Sequence, residues 1–73
     1  MNLNDQTFLR QIGDRIRDLR IGRNLTQAQL GEAAGLHRTF IGSVERGERN
    51  VAILSLRRIA KTLRVPVSKL VDG

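Results

Sequence analysis

Residues 25–50 read L-T-Q-A-Q-L-G-E-A-A-G-L-H-R-T-F-I-G-S-V-E-R-G-E-R-N, and this stretch decides the fold. Glycine divides it into two short segments. Thr26 is a good N-cap, because a hydroxyl there can accept from an otherwise orphaned backbone N–H of the first helical turn. The helix it opens runs from about Gln27 to Ala34, with Leu30, Ala33 and Ala34 as its apolar positions. Gly35 stands where a left-handed C′ residue belongs. Leu36 and His37 lead into a second segment, about Arg38 to Arg46, which buries Ile41 and Val44 at a spacing of three and closes at Gly47. Gly31 is small where a neighbouring helix has to pass close. Two short helices about a tight glycine turn make a helix-turn-helix, residues 26–46.

The flanks repeat the helical signal. Phe8, Ile12, Ile16 and Leu19 recur at three and four, so an amphipathic helix spans about Asp5 to Arg23. After the polar loop Glu48–Val51, a fourth helix runs from about Ala52 to Arg64. Its stripe is Ile53, Leu56, Ile59, Ala60 and Leu63. Pro66 holds Val65 extended and can occupy the first turn of a short last helix through Val71. With no sustained alternation to suggest strands, the expected architecture is all-α, five helices in one domain over residues 1–73.

The chain has 73 residues, no Cys, and a formal net charge of +6. A chain this small buries only about 60% of its unfolded surface and usually needs a staple. Disulfides and cysteine-based zinc sites are excluded, and a single histidine is too few for most structural metals. A partner subunit is the remaining route. No apolar run approaches the ~18 residues of a membrane span, and the polar N-terminus lacks the apolar core of a secretory signal; a cytoplasmic location is expected. The basic residues are eleven Arg against two Lys, and residues 37–64 alone carry net +5. Guanidinium forks match phosphates and guanine edges, so concentrated arginine points to nucleic acid. The outer face expected of the second helix of the motif is Arg38, Thr39, Phe40, Ser43 and Arg46, suited to base edges and phosphates.

At these residues the chain resembles the helix-turn-helix family of the phage repressors and Cro. The segment R-T-F-I-G-S-V-E-R-G-E-R-N-V (38–51) resembles more narrowly the restriction–modification controller proteins, small dimers that regulate their own gene and that of an endonuclease. The resemblance covers residues 12–71. It implies a homodimeric, sequence-specific transcriptional regulator on a near-palindromic operator. It also implies a DNA-contacting set at the start of the motif (Thr26, Gln27), on the helix entering the groove (Arg38, Thr39, Phe40, Ser43), and on the backbone grip that follows (Arg46, Arg49, Asn50). Phe40 replaces a frequent Tyr and keeps only apolar contact, as with a thymine methyl. Ala52 replaces a frequent Ser cap, leaving helix 4 capped by Asn50 or open. The resemblance further implies an ion pair between Arg20 and Glu45, locking the first helix to the third.

Other residues admit two readings. Arg57, Arg58, Lys61 and Arg64 are a second DNA patch or a solvated face. Leu54 is an apolar surplus, since Ile53 and Leu56 are expected to face the core. Beside Val67, Leu70 and Val71 it marks a dimer interface within residues 52–71, although those three can also fold back on the first helix. Glu32, the acid on the first helix of the motif, is the candidate contact for an RNA polymerase sigma subunit, or a merely solvated glutamate. His37 has no second ligand and no nearby base, and Ser43 has no base but His37. No enzyme, catalytic residue, cofactor or metal site is therefore expected. Three rivals are an antitoxin-type or phage or plasmid repressor, a protein-interaction module on the same fold, and an RNA-binding domain with only Phe8 and Phe40 to stack on bases.

Overall fold

The computed structural model describes residues 2–73, which form five helices and, among those residues, no strand. They are α1 (Leu3–Gly22), α2 (Gln27–Ala34), α3 (Arg38–Glu45), α4 (Ile53–Leu63) and α5 (Val67–Val71). The first helix starts two residues ahead of the expected Asp5, because the Asn2 side chain accepts from Asp5 N at 2.8 Å. Thr26 opens α2 with a full capping box: its Oγ1 accepts from Gln29 N at 3.0 Å, and Gln29 Oε1 accepts from Thr26 N at 2.8 Å. Gly35 takes the turn at φ +71°. His37 is itself the N-cap of α3, its Nδ1 accepting from Thr39 N at 3.1 Å. Ala52 opens α4 without a side-chain cap, and Pro66 is the N-cap of α5 rather than part of its first turn.

Ile12, Ile16, Leu30, Ile41, Val44, Leu56, Ile59, Ala60, Leu63 and Leu70 form one continuous core. Three residues assigned to apolar stripes are exposed instead. Phe8 is 46% exposed, Ile53 is 67% exposed, and Ala33 faces solvent. Periodicity identifies the inward face of a helix but not how far the neighbouring helix reaches along it. Both the start of α1 and the start of α4 overrun their partners.

Glycine sets the approach of α1 to α3. A Cβ on Gly13 would stand 2.5 Å from the Val44 carbonyl oxygen and 2.6 Å from that of Glu45, inside any tolerable contact. Gly31 is small for the turn and for the start of α3 that follows it: a Cβ there would run into the Leu36 carbonyl oxygen and stand 3.3 Å from the backbone nitrogen of Arg38, the first residue of α3.

One polar cluster ties the first three helices together. Arg20 Nε donates to Glu45 Oε2 at 2.6 Å, and Arg20 Nη2 donates to Oε1 at 3.0 Å. Arg20 Nη1 reaches the Leu25 carbonyl at 2.8 Å, and Gln27 Nε2 donates to Glu45 Oε1 at 3.1 Å. The two charged side chains are 12% and 3% exposed. The hydrogen bonds it donates to Glu45 hold the Arg20 guanidinium protonated above its ordinary range, against the opposing effect of burial. Each buried side-chain nitrogen or oxygen among the described residues has a partner.

Breaking this pair strands a buried charge, so Glu45→Ala should lower the unfolding free energy by ~3–5 kcal/mol. Glu48→Ala, which removes a partner from the exposed Arg46–Glu48 pair, should leave the urea midpoint nearly unchanged. Equilibrium urea denaturation of the two variants checks the contrast; equal midpoints would refute it.

Candidate nucleic-acid interface

The turn at Gly35 presents α3 across the N-terminus of α2, and the two helices share an open cleft of about 370 Å³ lined by Gln27, Arg38, Thr39, Gly42 and Arg46. Arg38 and Thr39 are exposed on the first turn of α3. The Thr39 hydroxyl lies 2.7 Å from His37 Nδ1. The ring nitrogen that accepts from Thr39 N carries no proton, so the hydroxyl is the donor in that contact. Thr26 is exposed but occupied by the capping box. Gln27 is half-buried, with one amide N–H committed to Glu45. Its second N–H and the unpaired backbone N–H groups of the α2 start remain for an anion.

Ser43 is not on the outer face. It is 8% exposed, because α3 packs against both α1 and α2 and every residue from Ile41 to Glu45 is buried. Its hydroxyl donates to the Phe40 carbonyl at 2.7 Å and accepts from Arg49 Nε at 3.2 Å. The Arg49 guanidinium also lies 5.5 Å from the centroid of the half-buried Phe40 ring, a cation–π contact. Ser43 and Phe40 thus hold Arg49 in place beside α3. The sequence shows these three residues but not that they meet, since the loop geometry that folds Arg49 back over α3 has no local signature.

Arg46 closes α3 and is exposed, with Nη2 3.1 Å from Glu48 Oε1. That hydrogen bond raises the guanidinium above its ordinary range and lowers the Glu48 carboxyl below its own. Asn50 is exposed and lines a cleft with Asp5, Phe8 and Leu9 of α1 instead of capping α4. Glu32 is exposed on α2.

The apolar patch is rearranged. Leu70 is 0% exposed and lies in the core, while Arg15 Nη1 donates to its carbonyl at 3.0 Å. A side chain buried among α1 and α4 has no surface left to offer a partner, so Leu70 is not an interface residue. Val67 and Val71 are half-buried against the same core. Leu54 is exposed, and Ile53, expected inside, is exposed beside it. Arg57, Arg58 and Lys61 line a shallow cleft with Leu54. Their helix packs on α1, α2 and α5, away from α3, which favours the solvated-face reading over a second groove contact. Two arginines have structural roles that no sequence pattern marks: Arg15, and Arg23, whose Nε donates to the Leu63 carbonyl at 2.7 Å. Among the described residues no three metal-ligating side chains cluster, and no helix is long and apolar enough to cross a membrane.

Comparison with known proteins assigns this architecture. A family profile described as Helix-turn-helix matches residues 16–70. Control protein C.SmaI of Serratia marcescens is 51% identical over 59 residues, covering 81% of this chain and 70% of that protein. Control protein C.BamHI of Bacillus amyloliquefaciens is 38% identical over 61 residues, covering 82% and 75%. The crystal structure of the restriction-modification controller protein C.AhdI from Aeromonas hydrophila superposes with a TM-score of 0.83 at 37% identity, covering 85% of this chain and 94% of that one. The chain belongs to the helix-turn-helix family of restriction–modification controller proteins.

Proposed function

We propose that the protein is a sequence-specific DNA-binding transcriptional regulator that acts as a homodimer on a near-palindromic operator of a restriction–modification system. The observation that carries this reading is the surface of α3. Arg38, Thr39, Arg46 and Arg49 stand exposed on or beside it, and the acid of that helix, Glu45, is turned inward and neutralised by Arg20. Phosphate therefore meets Arg38 and Arg49 there without an opposing acid from α3, Arg46 alone being paired with Glu48, and the first turn of α3 is free to reach base edges. Arg38 and Thr39 are the base-reading residues; Gln27, Arg46, Arg49 and Asn50 grip phosphate. Phe40 and Ser43 act by fixing Arg49, with the edge of the Phe40 ring left for a thymine methyl.

A dimer would place two such helices about 34 Å apart, one turn of duplex. Its interface centres on Ile53 and Leu54, flanked by Val67 and Val71. Glu32 lies on the open side of α2, where a polymerase sigma subunit on adjacent DNA can touch it. A regulator that binds DNA works in the compartment that holds the DNA, which fits a cytoplasmic protein.

Three results check this reading. Neutralising about six phosphates makes log K fall with log salt at a slope near −5. Fluorescence anisotropy on labelled duplex measures it, and a flat response refutes electrostatic DNA binding. Arg38→Ala should lose about 1–3 kcal/mol of discrimination between operator and scrambled DNA, the worth of a bidentate guanine contact. Arg49→Ala should weaken both DNAs alike; equal losses for Arg38→Ala would refute its base-reading role. Leu54→Glu should shift the dimer to monomer in analytical ultracentrifugation at micromolar concentration, because an interface desolvates a carboxylate that it cannot pair. A dimer that survives the change places the interface elsewhere.

A further inference from the structure

The first half of α1 lies outside residues 16–70, the span matched by the family profile, yet it adjoins the end of α3. A second open cleft, of about 400 Å³, is lined by Gln6, Arg10, Arg46, Gly47 and Glu48. Arg46 also borders the cleft between α2 and α3. One polar surface therefore runs from the start of α2, along α3, to Arg10. The contact that joins its two halves is tight. Gly47 sits at φ +74°, and a Cβ on it would be 2.7 Å from Arg10 Cγ and 3.0 Å from both Arg10 Cα and N. The loop after α3 thus rests directly on the α1 backbone at Arg10, which fixes the position of that residue relative to Arg46.

The charges in this cleft are unequal. Arg46 and Glu48 pair with each other. Arg10 is exposed, and the ion pairs among the described residues use other arginines, Arg20 and Arg46. The cleft is left with one uncompensated positive charge, carried on a long side chain beside the exposed Gln6 amide. An exposed cation and an amide donor, held in register with a phosphate-gripping arginine, are the chemistry that a phosphodiester oxygen takes.

We propose that Arg10, assisted by the Gln6 amide, binds a phosphate of duplex DNA beyond the helix-turn-helix, so that α1 extends the footprint past the contact at Arg46. The inference rests on the DNA-binding reading above. A phosphate contact of this kind carries no sequence information, so it operates on any duplex and shows in the salt dependence of binding.

The test is fluorescence anisotropy on a labelled random-sequence duplex between roughly 50 and 200 mM salt. Arg10→Ala should make the slope of log K against log salt shallower by about 0.9 for each protomer bound, a loss of affinity about threefold smaller across that range. Arg10→Lys should keep the wild-type slope, because it keeps the charge. Lys69→Ala removes an equal charge from α5, which packs on α1 and α4, and should leave the slope unchanged. An unaltered slope in Arg10→Ala overturns the inference. Equal shifts in Arg10→Ala and Lys69→Ala also overturn it, since they mean a diffuse effect of net charge. A flat wild-type response overturns the DNA-binding reading itself, and the inference with it.

Discussion

The Arg20–Glu45 pair is the constraint on which the arrangement depends. It joins the end of α1 to the end of α3, and through Gln27 it includes the start of α2. The side chain of Glu45 is almost wholly enclosed. A carboxylate in that position is tolerable only with its hydrogen bonds complete, and each of its oxygens is supplied by Arg20, with Gln27 adding to one of them. The pair therefore does two things. It sets the angle at which α3 stands on the rest of the domain, and it removes a negative charge from the exposed surface of that helix. The close approach at Gly13 depends on the same geometry, since that glycine touches the carbonyls of Val44 and Glu45.

Around that frame, arginine serves two purposes. Arg15 and Arg23 satisfy the carbonyls of Leu70 and Leu63 at the ends of α5 and α4, where helices leave acceptors unpaired. Arg38, Arg46 and Arg49 stand exposed on or beside α3. The count of arginines alone does not separate the two groups; the helix-end carbonyls that Arg15 and Arg23 reach do.

Most of the helix order was legible because each element carries its own punctuation: Thr26 with Gln29, Gly35, Gly47 and Pro66 mark boundaries by local chemistry. The Arg20–Glu45 pair was legible only through resemblance, since nothing local links positions so far apart. Phe8 and Ile53 depart from periodicity, which reports a face and not the extent of the neighbour covering it. Leu70 belongs to the apolar surplus beside Leu54 that admits either an interface or a fold-back on α1, and one turn of α5 is enough to bury it completely. Ser43 falls on an outer face only where a helix has a single inward face, whereas α1 and α2 both pack on α3 and bury every residue from Ile41 to Glu45. The stacking of Arg49 on Phe40 depends on loop conformation, which a sequence does not display.

The helices of the motif are eight residues each, below the ~12–15 at which an isolated helix begins to persist in water. Neither can exist as a local structure in a partly opened chain. Amide exchange across α2 and α3 should accordingly follow global unfolding, with little sub-global opening. The DNA-reading surface is then present or absent as a whole, with no half-formed version of it. Any event that unfolds the domain, such as capture by a protease, abolishes recognition in the same step, and the lifetime of the fold becomes the lifetime of the regulatory signal.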